Sequence, residues 1–275
     1  MISTMKAIEI RNFFVDNSDF IDQINTVDRI IIGNPNKEIK SVLCTLYSDF
    51  DAIKYAVKNK FDMVITHEPT FWVHANELDV INSWDKDTIK SKNAMLKKKY
   101  IDESGLVILR IHDVWDKIPK IGMLASWIKF LGFEKLPCNI IEHGLRCTLK
   151  IKPIKLDDLA KLVALSTAKI GEPYAHVFGD GNKLISNIGL TIGCGATLWD
   201  FTEIGCDVSI VADDGTTYWS DIKYSKDINH SVIYVNHGTS EEPGMASMAK
   251  YLEESLPELK VEHLPNKCGL RIVNA

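Results

Sequence analysis

The hydrophobic pattern near the start of the chain predicts a strand, a helix and a second strand. The apolar runs SVLCTLY (41–47) and FDMVIT (61–66) have the length of buried strands. Between them, the apolar residues of DAIKYAVK (51–58) recur on one face of a helix. Parallel strands need a crossover connection of this kind, so the pattern predicts an α/β fold.

The same alternation of strand-like and helix-like segments continues along the chain. GLVILRI (105–111) predicts another strand, and IGMLASWIKFLGF (121–133) predicts an amphipathic helix that ends near its second glycine. The pattern restarts with LRCTLKI (145–151), and SVIYVN (231–236) predicts a late strand before a final helix. We expect two related α/β domains with mixed or parallel sheets flanked by helices.

A weak internal repeat favours two modules of similar plan. Segments 41–68 and 187–214 share the order strand, turn, helix and strand, and one gap brings Asp62 over Asp207. In that register Glu68 falls opposite a carboxylate of the second segment. Any two strand–helix–strand units look somewhat alike, so the pattern leaves true duplication open.

Three predicted strands end in histidine and carboxylate residues. The carboxyl ends of strands in an open α/β sheet form the crevice where ligands bind, so these clusters can converge. Imidazole and carboxylate groups suit zinc, iron, manganese or nickel, and the set is larger than one ion needs. The pattern therefore predicts a site for two metal ions. The clusters are His67 with Glu68, then His112 with Asp113 and Asp116, and finally His237 with Glu241.

The domain boundaries follow from this convergence. His237 and Glu241 must return to the first module if they are to reach His67. This requirement predicts a metal-binding domain formed by residues 1–125 plus 231–275. The second, related domain would then be inserted in the middle, at residues 126–230.

Several of these residues have structural alternatives. Glu241 follows Ser240 at a helix start, where an acidic residue favours the helix dipole without any metal. His74 lies in the polar stretch HANELD, and we interpret it as a loop histidine. The GCGAT segment at Gly193 suits an anion at a helix start, although a glycine turn needs no ligand. Histidines without a carboxylate at ligand spacing are interpreted as structural or surface residues, namely His143, His176, His230 and His263.

Composition and charge narrow the function classes. The 275-residue chain has a net charge of -5 and no basic run longer than KKK, which argues against nucleic acid as a partner. Six scattered cysteines without a C-x-x-C pair favour a cytoplasmic protein. The N-terminus is charged too early for a signal peptide, and no apolar stretch has the length of a membrane span. Nucleophile-elbow, phosphate-loop and dinucleotide motifs do not occur.

The segments FDMVITHEPTFW, IHDVWD and VNHGTSEEPGMASMAKYL resemble the signature segments of the NGG-interacting-factor-like family, also described as GTP cyclohydrolase I type 2 homologues. The resemblance covers most of the chain. It implies two related α/β domains, a dinuclear metal site in the cleft between them and ring-shaped hexamers. Asp113 has no counterpart in the family pattern. By this resemblance the metal ligands are His67, Asp116, His237 and Glu241, with His112 close by.

The chain departs from the family pattern at Glu68, where the family usually has a second histidine, and at residues 212–214, where Ala-Asp-Asp replaces Thr-Gly-Asp. Glutamate still binds or bridges metals and favours harder ions such as manganese, iron or magnesium. Because the chain turns at Pro69, His67 and Glu68 can face one crevice. We predict that Glu68 is a metal ligand and that two ions bind, from among zinc, manganese, iron, nickel and magnesium. A weak or absent second ion is the alternative.

These features together predict a metal-dependent hydrolase that acts on a small nucleotide-like or phosphorylated molecule, with His112 as its catalytic proton shuttle. A non-catalytic metal-binding protein that senses or delivers metal is the alternative, because it needs the same ligands. The expected partner is a small-molecule substrate, with neither nucleic acid nor membrane. Assembly into a homo-oligomer is expected from the family resemblance alone.

Overall fold

The computed structural model describes most of the chain as two compact units. The described residues are 4–16, 18–74, 76–141 and 144–273. The first unit comprises Met1–Trp115 and Met245–Pro265, and the second comprises Asp116–Gly244 and Asn266–Ala275.

The strands alternate with helices along both units. In chain order the strands are β1 (Met5–Lys6), β2 (Arg29–Ile32), β3 (Glu38–Ile39), β4 (Ser41–Thr45), β5 (Met63–Thr66), β6 (Val107–Arg110), β7 (Cys138–Ile141), β8 (Arg146–Lys155), β9 (His176–Phe178), β10 (Leu184–Thr191), β11 (Val208–Ala212), β12 (Ser231–Val235) and β13 (Lys260–His263).

The helices follow the same order. They are α1 (Ala7–Val15), α2 (Phe50–Lys58), α3 (Glu77–Ser83), α4 (Ile89–Ser104), α5 (Asp113–Lys117), α6 (Met123–Phe130), α7 (Leu156–Thr167), α8 (Leu198–Glu203), α9 (Lys223–Asp227) and α10 (His237–Ser255), with a short 3-10 helix at Ala168–Ile170 and a π-helical turn at Tyr218–Ile222. Across the described ranges, none of them is both long enough and apolar enough to cross a membrane.

The first unit is built on a five-stranded sheet with the order β13-β4-β5-β6-β2. Its first four strands are parallel, and β2 is antiparallel to β6. The residues of β4, β5 and β6 are all buried, as expected for parallel strands covered on both faces. Helix α2 begins after Asp49, whose carboxylate accepts a hydrogen bond from the Ala52 N–H at 2.8 Å. The predicted strand–helix–strand unit is confirmed as β4, α2 and β5.

The second unit is built on a six-stranded mixed sheet with the order β7-β8-β10-β11-β12-β9. Strands β10, β11 and β12 are parallel, and the remaining pairs are antiparallel. Helix α6 ends at Phe130, and Gly132 follows with the positive φ of 79° that favours glycine after a helix. The predicted α/β class with mixed and parallel sheets is confirmed.

The chain returns to the first unit later than the boundaries 1–125 plus 231–275 place it. Strand β12 pairs in parallel with β11, and so lies in the second sheet. Residues 116–125 also belong to the second unit. The return falls within α10, at Met245, and β13 then pairs with β4. The apolar pattern of β12 suits a buried strand in either sheet, so the sequence does not determine which sheet it joins.

The two segments of the weak internal repeat make similar contacts, each within its own unit. In the first unit, the Asp62 carboxylate accepts two backbone N–H groups at the start of β4, and Lys37 Nζ donates to the Asp62 carbonyl at 3.2 Å. In the second unit, the Asp207 carboxylate accepts two backbone N–H groups of β10, and Lys183 Nζ donates to the Asp207 carbonyl at 3.0 Å. The two repeat segments therefore share an aspartate that binds two backbone N–H groups and a lysine that binds the carbonyl of that aspartate.

Candidate metal centre

His67 and Glu68 follow β5 directly, at the carboxyl edge of the first sheet. The Glu68 N–H donates to the Leu46 carbonyl at 3.0 Å, and the Thr66 hydroxyl donates to the Glu68 carbonyl at 3.2 Å. Both His67 and Glu68 are buried. A ligand atom of His67 lies within 4.8 Å of one from Glu68, so the turn before Pro69 does bring the adjacent side chains together.

His67 is held as a neutral imidazole. Its Nδ1 lies 3.1 Å from the Ile111 carbonyl, which can only accept, so Nδ1 carries the proton and Nε2 keeps a lone pair. Burial, reinforced by the neighbouring His112, lowers the pKa of His67 well below its usual value. A backbone carbonyl at Nδ1 is the usual outer partner of a metal-binding histidine.

His112 stacks on His67, with ring centroids 4.3 Å apart and an interplanar angle of 14°. Its Nδ1 lies 3.1 Å from Asp113 Oδ1, so in the neutral ring the proton is on Nδ1 and the lone pair is on Nε2. Burial raises the pKa of Asp113, but hydrogen bonds from His112 and from the Thr26 hydroxyl outweigh it and hold the pKa below the usual value. The carboxylate therefore stays ionised beside the ring.

Asp28 fixes the backbone at this position. Its carboxylate accepts the backbone N–H groups of His112, Asp113 and Val114, the last two at 3.0 and 2.9 Å. These groups begin α5, so the buried Asp28 satisfies the first turn of the helix. Asp116 lies on α5 four residues after His112 and is the first residue of the second unit.

A buried arginine supports the Glu68 side of the site. Arg110 is 1% exposed, and its Nε donates to the His67 carbonyl at 2.9 Å. Its Nη2 lies 3.0 Å from His74 Nδ1, and His74 Nε2 lies 3.9 Å from Glu68 Oε2. The interpretation of His74 as a plain loop histidine misses this cluster, because nothing in the local sequence points to Arg110.

The second unit carries the His237 and Glu241 pair on the first turn of α10. His237 Nε2 lies 3.0 Å from Glu241 Oε2, and His237 Nδ1 lies 3.2 Å from Asp214 Oδ2. Both ring nitrogens thus face carboxylate oxygens. Nε2 and the Glu241 oxygen have the separation of two ligands that share one ion at about 2.1 Å from each.

Gly193 makes the close approach at this pair possible. A Cβ on Gly193 would lie 2.3 Å from Glu241 Oε1 and 3.0 Å from His237 Nε2. The Gly193 N–H donates to the Ser240 hydroxyl at 2.9 Å. The glycine of GCGAT therefore makes room for the imidazole and the carboxylate, and its N–H faces a hydroxyl.

The donor chemistry fits divalent metal ions. Lone pairs on imidazole nitrogens stand next to carboxylates, which is the ligand mixture of zinc, manganese, iron and nickel sites. The sequence identifies the ligand candidates, and it also points to Asp113 beside His112 and to Asp214 within residues 212–214. It does not point to Asp28 and Arg110, which orient His112 and His67 from distant positions in the chain.

The remaining histidines lie elsewhere. His230 is buried, with its Nε2 2.7 Å from the Ser209 hydroxyl, and burial lowers its pKa to about 4. His176 lies on β9 and His263 ends β13. His143 lies outside the described residues.

The sequence matches one protein family over most of its length. A family model described as Duf34/NIF3 (NGG1p interacting factor 3) matches residues 21–268. No curated protein sequence matches the chain. The family match covers most of the chain and confirms the resemblance predicted from the three signature segments.

Solved structures share the whole fold at low sequence identity. Staphylococcus aureus hypothetical protein SA1388 has 16% identity and a TM-score of 0.76, with 98% of this chain and 100% of that chain covered. Reduced HcgD from Methanocaldococcus jannaschii has 19% identity and a TM-score of 0.71, with 96% and 99% covered. A Bacillus cereus protein related to NIF3 has 12% identity and a TM-score of 0.75, with 99% and 100% covered. These likenesses show the fold.

Proposed function

This chain belongs to the Duf34/NIF3 family, and from that premise we propose that it is a dinuclear metal-dependent hydrolase. The proposed substrate is a small nucleotide-like or phosphorylated molecule, with GTP as one member of that class. The proposed ligands are His67, Glu68, Asp116, His237 and Glu241.

The support for metal binding comes from the way the histidines are oriented. His67 directs Nδ1 at a backbone carbonyl, and His237 directs Nδ1 at the Asp214 carboxylate. The carbonyl at His67 fixes that ring and leaves Nε2 as the ligand atom, and Nε2 of His237 lies 3.0 Å from Glu241, the other proposed ligand of its pair. A histidine that only filled space would have no need of this arrangement at two separate strand ends.

The support for catalysis comes from His112 and Asp113. Divalent ions in such a donor set act as Lewis acids and lower the pKa of a coordinated water. His112 Nε2 is positioned to take a proton, because Asp113 accepts the Nδ1–H and would stabilise the imidazolium that forms. This pair is the single observation that favours an enzyme over a protein that only binds metal.

A regulatory metal-binding protein, which senses or delivers metal, is the second candidate. The His237 and Glu241 pair favours it equally, since a sensor needs the same donors. In a sensor, the Asp113 carboxylate would orient His112 as a further metal ligand, so retention or loss of metal in His112→Ala separates the two functions.

The deciding experiment measures turnover of a panel of nucleotides and phosphate esters, with and without added metal, for the wild type and His112→Ala. We expect metal-dependent turnover, and we expect the variant to keep its ions while its rate falls about 100-fold or more. Reversible metal exchange without turnover of any substrate would favour the sensor. Metal lost from His112→Ala would make His112 a ligand instead of a proton shuttle.

A further inference from the structure

His74 and the two neighbouring histidines, His67 and His112, carry the ring proton on different nitrogens. Arg110 Nη2 lies 3.0 Å from His74 Nδ1, and a guanidinium can only donate. His74 Nδ1 therefore accepts, and the proton of the neutral ring is on Nε2. His67 and His112 have the opposite arrangement, because their Nδ1 atoms face oxygen. Nε2 of His74 is thus a hydrogen-bond donor, whereas Nε2 of the other two rings offers a lone pair.

The group that fixes this tautomer is itself held firmly. Arg110 is buried in the first unit, and its Nε donates to the His67 carbonyl at 2.9 Å. Burial lowers the pKa of Arg110, and the carboxylates of Glu77 and Glu68 oppose that effect. The guanidinium therefore remains a cation behind the His74 ring.

Hydrogen bonds to two buried side chains also hold the loop that carries His74. Lys97 Nζ donates to the Thr70 carbonyl at 2.7 Å, and the Phe71 N–H donates to Glu77 Oε2 at 2.6 Å. Lys97 and Glu77 are both buried. The loop is thus held by contacts to the protein interior, which positions the His74 ring in advance of any ligand.

The donor lies at an accessible edge of the site. The His74 side chain is 67% exposed, and its Nε2 is 3.9 Å from Glu68 Oε2. A cation bound to Nδ1 polarises the ring and strengthens the Nε2–H as a donor. A polarised N–H of this kind binds a negatively charged oxygen more strongly than a neutral one.

We propose that His74 donates a hydrogen bond from Nε2 to an anionic phosphoryl oxygen of the substrate, beside Glu68. The inference rests on the proposed function, because a metal ion at Glu68 would offset the carboxylate charge that otherwise attracts the donor. His74 would thus bind substrate, while His112, with the opposite tautomer, would take a proton.

The test measures binding of inorganic phosphate at pH 8 by isothermal titration calorimetry, for metal-loaded wild type, His74→Ala and His74→Gln. Glutamine is the matched control, because its carbonyl can accept from Arg110 while its amide N–H donates. We expect His74→Ala to weaken phosphate binding about tenfold or more and His74→Gln to stay within about threefold of the wild type. Thermal melts would check that each variant is folded.

Three outcomes would overturn the proposal. They are a wild type that binds no phosphate, equal affinity in wild type and His74→Ala, and a glutamine variant as weak as the alanine one. Acetate, titrated in parallel, distinguishes carboxylate from phosphate. Binding of acetate but not phosphate that depends on His74 would also overturn it.

Elemental analysis of the same samples separates this proposal from the dinuclear site. We expect His74→Ala to retain its metal, because a protonated Nε2 is not a ligand; metal loss in that variant would overturn the donor role. A wild type without metal that still shows His74-dependent phosphate binding would contradict the dinuclear site and support the donor role.

Discussion

The role open to each histidine is set by the atom that faces its Nδ1. A carbonyl at His67 and a carboxylate at His112 leave a lone pair on Nε2, whereas the guanidinium at His74 leaves a proton there. The same side chain can therefore act as a ligand, a base or a donor within one cluster. The sequence shows the Asp113 partner of His112, which is its neighbour in the chain. The partners of His67 and His74, which are the Ile111 carbonyl and Arg110, are distant in the chain and come only from the fold.

Glu68 lies where the family resemblance implies a second histidine, and we predict that it still binds metal. Protein loaded with manganese should hold two ions per chain, and Glu68→Ala should hold one, because the carboxylate would be lost from the site. Elemental analysis of the dialysed proteins gives the count.

Glu68→His is the matched control for that experiment, since it restores the usual family residue. We expect it to keep two ions and to shift the preference from manganese toward zinc, because imidazole is the softer ligand. One ion in both the wild type and Glu68→Ala would mean that Glu68 is a bystander.

At the scale of elements, the sequence predicts the local units well and their assignment to sheets less well. β4, α2 and β5 follow from apolar runs and helix periodicity, which depend on local burial. The sheet that β12 joins depends on a distant partner, β11, and no periodicity encodes that pairing. The site shows the same limit, because Asp28 lies 84 residues from the His112 N–H that it binds.

The loop after β10 offers a test of the His237 and Glu241 pair. Gly193→Ala would place a Cβ 2.3 Å from Glu241 Oε1, so we expect the carboxylate to move and metal affinity to fall about 10- to 100-fold. Metal titration followed by calorimetry measures the change.

Gly205→Ala is the control for the backbone cost of that substitution. Gly205 also has a positive φ, of 76°, but a Cβ there meets nothing within 4 Å. Both variants should lose similar stability, about 1 kcal/mol, while only Gly193→Ala loses metal affinity. Equal affinity in the two variants would remove Gly193 from the site.

For the whole molecule, the family resemblance predicts a ring-shaped hexamer. Light scattering on the purified protein should give six times the mass of a 275-residue chain. Large apolar side chains are exposed on the second unit, where Trp219 is 80% exposed and Tyr218 is 63% exposed. Exposed apolar side chains of this size are typical of a surface that binds another protein chain. A monomer at micromolar concentration would contradict the prediction.

Metal should also stabilise the folded chain, because each unit carries proposed ligands. His67 and Glu68 belong to the first unit, and His237 and Glu241 belong to the second. An ion that binds only the folded chain adds about 2.7 kcal/mol at a free concentration 100 times its dissociation constant. Scanning calorimetry should therefore show a lower transition temperature after chelation and a higher one after reloading with metal.

The variant His237→Ala tests how much of that stabilisation depends on the His237 imidazole. With this side chain removed, we expect metal to raise the transition temperature less than in the wild type, because one proposed ligand is lost and the affinity for the ion falls. An equal rise in the wild type and in His237→Ala would mean that His237 is not a metal ligand.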